Sequence, residues 1–305
     1  MTLTIKSILP RFGSDISGVD FSVPLEAAVQ AELMQAARTR GVCVFRQTNL
    51  DDESHIAFSR MFGKLELAPV RPGKRARLAH RELIDVGNLD ADGNVWKDPL
   101  DLMFNRGNQL WHTDASFVVT RAAYSLLLAH EVPPSGGETW FADTRSAYED
   151  LPSEMKKRID GLQAIHSVWW SRRLAGYDVT DEQVDKGGYA IQPLVMPHVS
   201  GRSSLYVASH IRGIVGMPHD EAQDLKRELI EWATRPEYVF RVDWKAGDLV
   251  LWDNLASMHR GGTYDDMKDR RDLRRTTIRD SSVTSDIEEG EAFAGVFAIV
   301  DKNTA

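Results

Sequence analysis

The chain has 305 residues, of which 42% are hydrophobic and 27% are charged. This balance is ordinary for a soluble protein with a sizeable core and excludes a mainly disordered chain. The formal net charge of −8 argues against broad binding to nucleic acid or to an anionic membrane surface. No apolar run approaches the roughly 18 residues of a membrane span, and the first residues lack the pattern of a signal peptide.

The only cysteine, Cys43, lies in the apolar run Val42–Phe45. A lone cysteine cannot form an intrachain disulfide, and its surroundings predict a small buried hydrophobic residue rather than a reactive thiol. A reducing compartment suits such a chain, and we therefore expect a cytoplasmic protein.

The elements that follow from periodicity and turn residues are mostly short strands with a few helices between them. In chain order they are a helix over 26–39, a strand over Val42–Arg46, a helix over 51–62, a strand over Tyr124–His130, a helix over 143–160, strands over Leu194–His198 and Leu205–Ala208, a helix over 218–234, and strands over Tyr238–Asp243, Leu249–Trp252 and Thr276–Arg279. This order predicts a mainly β protein with covering helices, built as a β-sandwich or jelly roll. No linker-like composition divides the chain, so we expect one domain over residues 1–305.

A basic stretch runs from Arg71 to Arg81. It has two interpretations: a solvated loop, or a mobile flap that attracts an anionic substrate. The sequence favours the solvated loop without deciding between them.

The strongest local signal for chemistry is the tetrad Trp111-His112-Thr113-Asp114. If these residues form a strand, His112 and Asp114 point to the same side, because side chains alternate along a strand. His259 follows the predicted strand Leu249–Trp252. Two histidines and one carboxylate can occupy one face of an octahedral iron(II) and leave three positions open. A His-x-Asp pair alone is weak evidence, since a simple hydrogen-bonded pair has the same pattern.

An arginine-rich segment, Arg270 to Thr277, follows His259. The spacing of four places Arg271 and Arg275 on one side of a strand, where a buried guanidinium is a suitable partner for a carboxylate. Arg270 and Arg274 then face the other side, where we expect solvated side chains.

The remaining histidines and a tryptophan pair have structural interpretations. We expect His55 and His219 to be exposed on their helices and the pair Trp169–Trp170 to pack in the core. Four other histidines show no partner spacing and are expected to be structural: His80, His130, His166 and His198.

At this point the sequence resembles the taurine dioxygenase and 2,4-dichlorophenoxyacetate dioxygenase family. The resemblance extends over about residues 13–282 and is nearer to the dichlorophenoxyacetate branch. The segments that carry it are Ser17–Asp20, His55–Gly63, Asn108–Phe117, Val132–Thr139 and Gly247–Asn254. Membership implies a double-stranded β-helix, the cupin-like form of the jelly roll.

The resemblance also implies roles for individual residues. The iron ligands it implies are His112, Asp114 and His259, and the contacts to the distal carboxylate of 2-oxoglutarate are Thr139 and Arg271. Arg275 corresponds to an arginine that holds the acid group of the substrate, and the residues implied to line the pocket are Asn108, Trp252 and His210. Arg271 is chosen by aligning the strand Leu273–Ile278, whereas counting from His259 would select Arg270 instead.

These matches imply an enzyme that uses iron(II), 2-oxoglutarate and dioxygen, with ascorbate as an activator in vitro. Its substrate would be a small organic acid, most simply an aryloxyalkanoate that is cleaved to a phenol and glyoxylate or a related oxo acid. Two alternatives stay open: a sulfonate or alkyl sulfate dioxygenase, and a cupin-like metal-binding module without catalysis. We expect a homo-oligomer with a small anionic substrate and with neither nucleic acid nor membrane as a partner.

Overall fold

The computed structural model of the protein describes residues 3–69, 75–97 and 99–283. The strands are β1 Thr4–Ser7, β2 Ser14–Ser17, β3 Val42–Phe45, β4 Ile84–Asp85, β5 Ala122–Glu131, β6 Thr139–Asp143, β7 Gln163–His166, β8 Ala190–Pro193, β9 Val195–Pro197, β10 Ser203–Leu205, β11 Ile211–Ile214, β12 Val239–Val242, β13 Leu249–Asp253, β14 Ser257–Gly261 and β15 Asp272–Arg279. The helices are α1 Ala27–Arg40, α2 Asp52–Arg60, α3 Pro99–Arg106, α4 Thr144–Glu149, α5 Ser153–Ile159, α6 Val168–Leu174, α7 Asp181–Lys186 and α8 His219–Ala233.

A large sheet and a small sheet form the centre of the fold. The large sheet has the order β1-β2-β3-β13-β5-β15-β4, and the small sheet has the order β12-β6-β14. All neighbours in both sheets are antiparallel except β2 and β3. Strands distant in sequence therefore lie side by side, which brings the segment before β5 close to β14 and β15.

The two sheets pack face to face, as alternation along β5 shows. Leu127 and Ala129 belong to a buried cluster that also contains Phe141 of β6 and Phe240 of β12. Leu126 and Leu128 face the other side, in a cluster shared with residues of α1 and α2. The central strands β3, β13 and β5 thus bury both faces, one against the small sheet and one under helices, which matches the predicted mainly β fold with covering helices.

Two helices show why the sequence forms helix at these places. Asp51 caps α2 by accepting a hydrogen bond from the Ser54 backbone N–H, and the Ser54 hydroxyl accepts one from the Asp51 backbone in return. In α8 one face is buried, with Ala222, Leu225 and Leu229 in a third apolar cluster. Both helices lie within the predicted ranges.

Three expectations were wrong in detail. The helix expected over 143–160 is two helices, α4 and α5, because Pro152 cannot continue the first. The strand expected at Leu205–Ala208 lies earlier, as β10, and pairs with β9. His55 was expected to be exposed, but it is fully buried on the inner face of α2.

Cys43 is buried in β3, and burial raises the pKa of its thiol to about 12, so the expectation of a small hydrophobic residue is confirmed. Among the described residues, no helix has the length and apolar character needed to cross a membrane.

Part of the basic stretch Arg71 to Arg81 lies outside the described residues, namely 71–74. Within the described part, Arg77 is not solvated. Its guanidinium bonds Asp85 at 2.7 and 2.9 Å and Asp272 at 2.6 and 2.9 Å. These two ion pairs fasten this segment to β4 and β15.

Candidate active site

Three predicted ligand residues converge between the two sheets. His112 and His259 are joined by a pair of backbone hydrogen bonds of 2.9 and 2.8 Å, although His112 lies in an isolated bridge and not in the regular strand expected there. Asp114 follows in a turn, before Ala115 with its positive φ of 53°. The three buried side chains offer ligand atoms that all lie within 4.8 Å of one another.

The Asp114 carboxylate is held in place by buried polar groups. Its Oδ2 accepts a hydrogen bond of 2.8 Å from the Ser125 hydroxyl, and its Oδ1 accepts one from Arg275 Nη1. Asn254 supports both ends, since its Oδ1 accepts from the Asp114 backbone at 3.1 Å and its Nδ2 donates to Ser125 at 3.0 Å. The carboxylate is therefore fixed before any ion binds.

The protonation states of the three side chains suit a divalent cation. Burial lowers the pKa of His112 to about 4 and that of His259 well below its usual value, so both rings are neutral near pH 7. Burial alone would raise the pKa of Asp114, but Arg275, the two histidines and the hydrogen bond from Ser125 together outweigh it and bring the pKa to about 2.

The ring of His112 is also oriented for ligation. Its Nδ1 donates to the Leu110 carbonyl oxygen at 2.7 Å, which leaves the Nε2 lone pair for an ion. Two neutral imidazoles and one carboxylate are the donor set that iron(II) takes in oxygenases, so the residues present fit this metal.

Two cavities meet at this triad. The first, which we call the Arg271 cavity, is lined by residues that include Thr139, Trp252, His259, Tyr264 and Arg271. The second, the Arg172 cavity, is lined by residues that include Asp85, Asp114, Phe117, Arg172 and His210. The residues that line both are Val86, Asn105, Asn108, His112 and Arg275.

The Arg271 cavity has the chemistry of a carboxylate site. Arg271 is buried, its Nη1 donates to the Val86 carbonyl at 2.8 Å, and its Nε has no partner among the described residues. Burial lowers the pKa of Arg271 because no described carboxylate compensates its charge. Thr139 lines the same cavity, with its hydroxyl oxygen accepting from Trp244 Nε1 at 3.0 Å. A buried guanidinium of this kind is stabilised when an anion binds.

The structure also separates the chosen Arg271 from its neighbour Arg270, which counting from His259 would have selected. Arg270 lies at the surface, where its Nε donates to both carboxylate oxygens of Glu131 at 2.9 Å. Only Arg271 of this pair lines the cavity. Arg274, expected to be solvated, is instead mostly buried in ion pairs with Asp272 and Asp52.

The remaining predicted site residues all line one cavity or both. Trp252 lies against His259, with ring centroids 4.7 Å apart and the planes tilted by 54°, and its Nε1 donates to Asn254. Asn108 touches both cavities, and its Oδ1 accepts from Arg172 Nη2 at 3.0 Å. His210 lines the Arg172 cavity, and its Nδ1 is 3.0 Å from the Ser116 hydroxyl.

Sequence reasoning missed several residues of this site. Ser125 and Asn254 hold the proposed carboxylate ligand, and Asn254 could have been noticed as the end of the matched segment Gly247–Asn254. Arg172 lies on the short helix α6, for which no periodicity signal was found. Its place in a cavity depends on a distant residue, Gly107, so no local pattern reveals it.

The comparisons with known proteins agree with this geometry. The chain is 38% identical over 281 residues to the alpha-ketoglutarate-dependent 2,4-dichlorophenoxyacetate dioxygenase of Burkholderia sp. strain RASC, covering 91% of this chain and 94% of that protein. It is 32% identical to the (S)-phenoxypropionate/alpha-ketoglutarate-dioxygenase of Sphingobium herbicidovorans, covering 83% of this chain and 87% of the relative.

Among solved structures, AAD-2 in complex with Mn(II) and N-oxalylglycine superposes with a TM-score of 0.84 at 39% identity, over 94% of this chain and all of that one. The sheet-rich fold is accordingly that of the jelly-roll dioxygenases. Residues 4–277 match the family described as taurine catabolism dioxygenase TauD, TfdA family. The chain therefore belongs to the TauD, TfdA dioxygenase family.

Proposed function

We propose that this protein is an iron(II)- and 2-oxoglutarate-dependent dioxygenase that hydroxylates an aryloxyalkanoate and so cleaves its ether bond. The observation that carries the proposal is the position of the His112, Asp114 and His259 triad at the junction of two cavities, each with a buried arginine. Its curated relatives named above act on 2,4-dichlorophenoxyacetate and on a phenoxypropionate.

When bound, iron(II) and 2-oxoglutarate would activate dioxygen, which is the oxidant: one of its oxygen atoms would enter succinate as 2-oxoglutarate loses carbon dioxide, and the other would enter the substrate. Hydroxylation of the carbon next to an ether oxygen gives a hemiacetal, which breaks into a phenol and an oxo acid. Phenoxyacetate would thus yield phenol and glyoxylate.

The protein's part is binding, orientation and charge. Neutral His112 and His259 and ionised Asp114 would hold the metal, and Ser125 keeps the carboxylate in position. In the Arg271 cavity, Arg271 and Thr139 would bind the distal carboxylate of 2-oxoglutarate.

On the substrate side, Arg275 lies at the junction of the cavities. One edge of its guanidinium donates to Asp114, while its Nε is buried without a partner among the described residues. We assign to Arg275 a share in binding the substrate's acid group, with Asn108, His210 and Trp252 shaping the pocket. A non-catalytic metal module would have no use for a second cationic cavity, so the enzyme is favoured.

The expected cytoplasmic location and the expected homo-oligomer are part of this proposal and rest on the sequence alone. The low cysteine content supports the first.

The direct test measures succinate formed by the purified protein with iron(II), ascorbate and 2-oxoglutarate over a panel of phenoxyacetate, the two phenoxypropionates, taurine and hexyl sulfate. Phenoxyacetate or a phenoxypropionate should stimulate succinate formation, and a phenol should appear in equal amount. Stimulation by taurine or hexyl sulfate with none by the aryloxy acids would move the protein to a sister branch. No stimulation by any acid would contradict the proposal.

A further inference from the structure

We infer that Arg172, together with Arg275, binds the acid group of the substrate and that Arg172 sets the preference for an anion. This inference deepens the proposed function and rests on it. It concerns a residue that neither the sequence motifs nor the triad points to.

Arg172 is a buried residue of α6, only 7% exposed, and it lines the cavity that also contains His112 and Asp114. Its Nη2 donates to the Asn108 side-chain oxygen at 3.0 Å, so the guanidinium points toward a residue shared by both cavities. Burial lowers the pKa of His210, and the charge of Arg172 is among those that lower it further, which places this cation within electrostatic range of the cavity's other wall.

The acidic residues among the described lining of this cavity, Asp85 and Asp114, are each bonded to an arginine. Asp85 accepts two hydrogen bonds from Arg77, at 2.7 and 2.9 Å. Asp114 is bonded to Arg275 and is the proposed metal ligand. The Asn108 amide holds the Arg172 guanidinium at the cavity wall. From that position its fork of N–H donors can reach a carboxylate that enters the cavity, with Arg275 lining the same space, so Arg172 suits the substrate's acid group.

The fold makes room for this guanidinium at Gly107. A Cβ atom built on Gly107 would lie 2.1 Å from Arg172 Nη1 and 2.7 Å from its Cδ. Any side chain there would push Arg172 away while leaving its charge in place. Gly107 thus gives a variant that moves the cation without removing it.

The test measures dissociation constants by calorimetry on protein loaded with Mn(II) and 2-oxoglutarate under nitrogen, so that no turnover occurs. The ligands are phenoxyacetate and its neutral analogue phenoxyacetamide, with taurine and hexyl sulfate as further anions. The variants are Arg172→Met, Arg172→Lys and Gly107→Ala. The matched control is Arg173→Met on the same helix, since Arg173 pairs with Asp181 at 2.7 Å and does not line the cavity.

We expect Arg172→Met to weaken phenoxyacetate binding about thirtyfold, as for the loss of one partner of a buried charge pair, and to change phenoxyacetamide and 2-oxoglutarate binding by less than about threefold. Arg172→Lys should restore part of the preference for the acid, and Gly107→Ala should lose part of it. Arg173→Met should match the wild type.

If Arg172 has only a structural role, Arg172→Met should weaken the binding of phenoxyacetate and phenoxyacetamide together. That result would overturn the inference. An unchanged preference for the acid in Arg172→Met would overturn it as well while leaving the proposed function intact. A wild type that binds neither the aryloxy acid nor the other anions would refute the proposed function and this inference with it.

Discussion

The two cavities that meet at His112 are built from different parts of the fold. The Arg271 cavity is walled largely by strands and their ends: Thr139 begins β6, His259 is in β14, and Arg271 directly precedes β15. The Arg172 cavity takes its own walls from α6, from the turn around Ala115 and from the segment around His210. The half that would handle the co-substrate thus lies on paired strands and their ends. The half that would select the substrate lies on a short helix and two segments outside the strands, which are themselves largely buried.

The largest expected effect is at the junction itself, which serves both cavities. Replacing His112, Asp114 or His259 by Ala should reduce turnover below detection and weaken metal binding by more than about 100-fold, because loss of a mere supporting group already costs about 10- to 100-fold. Metal content after dialysis and succinate formation measure this. His219→Ala, a change at an exposed histidine, is the control. A folded triad variant with normal activity would refute the assignment.

The next effect should be confined to the Arg271 cavity. Arg271→Gln removes the buried cation, and the lost charge pair should cost about 2–5 kcal/mol in 2-oxoglutarate binding, which is a rise of about thirtyfold or more in its Michaelis constant. Arg270→Gln is the matched control, since Arg270 is paired with Glu131 at the surface. If Arg270→Gln shows the effect and Arg271→Gln does not, the assignment of the co-substrate arginine is wrong by one residue.

A smaller effect is expected from the support of Asp114. Ser125→Ala deletes the hydroxyl that donates to the carboxylate at 2.8 Å and should weaken metal binding about tenfold. A metal titration followed by Mn(II) resonance would measure it. Ser59→Ala, at another fully buried serine, which bonds Thr276 and lines neither cavity, should leave metal affinity unchanged. Equal metal affinities in Ser125→Ala and Ser59→Ala would show that Ser125 does not orient the Asp114 carboxylate.

The smallest effect on ligand binding in either cavity is expected at His55. This residue instead affects the free energy of unfolding. Burial lowers its folded-state pKa to about 4, against about 6.5 in an unfolded chain, so the unfolded state binds the proton first. Stability from this residue is complete above pH 6.5 and is lost as the pH falls toward 4, about 2 kcal/mol of it between pH 7 and pH 5. In urea unfolding, His55→Met should lose less stability than the wild type over that interval. An equal loss in both proteins would contradict this view of His55.

What could be predicted from the sequence also differs between the Arg271 cavity and the Arg172 cavity. The triad and Arg271 were predicted because they lie in short segments that resemble the motifs of the family, although His112 is not in the regular strand expected there. Position along a strand determines which side chains share a face, so Arg271 and Arg275 were placed together correctly. The break at Pro152 was also available in the sequence and was overlooked.

Other features depend on contacts between distant segments, which no local pattern records. His55 was expected to be exposed because it is a polar residue on a helix. The sequence does not show which distant segment packs against that helix and buries it. The place of Arg172 depends on close approach to Gly107, and the bond between Arg275 and Asp114 joins residues 161 positions apart. The single domain over 1–305 stays a prediction.

The dissociation constants of 2-oxoglutarate and phenoxyacetate test most directly whether one cavity binds the co-substrate and the other the substrate. On Mn(II)-loaded protein under nitrogen, 2-oxoglutarate and then phenoxyacetate are titrated into the wild type, Arg271→Gln and Arg172→Met. We expect a crossed pattern: Arg271→Gln weakens 2-oxoglutarate binding and Arg172→Met weakens phenoxyacetate binding, each with little change in the affinity for the other ligand when 2-oxoglutarate is saturating. If each substitution weakens both ligands to the same degree, the two cavities do not divide the work between co-substrate and substrate.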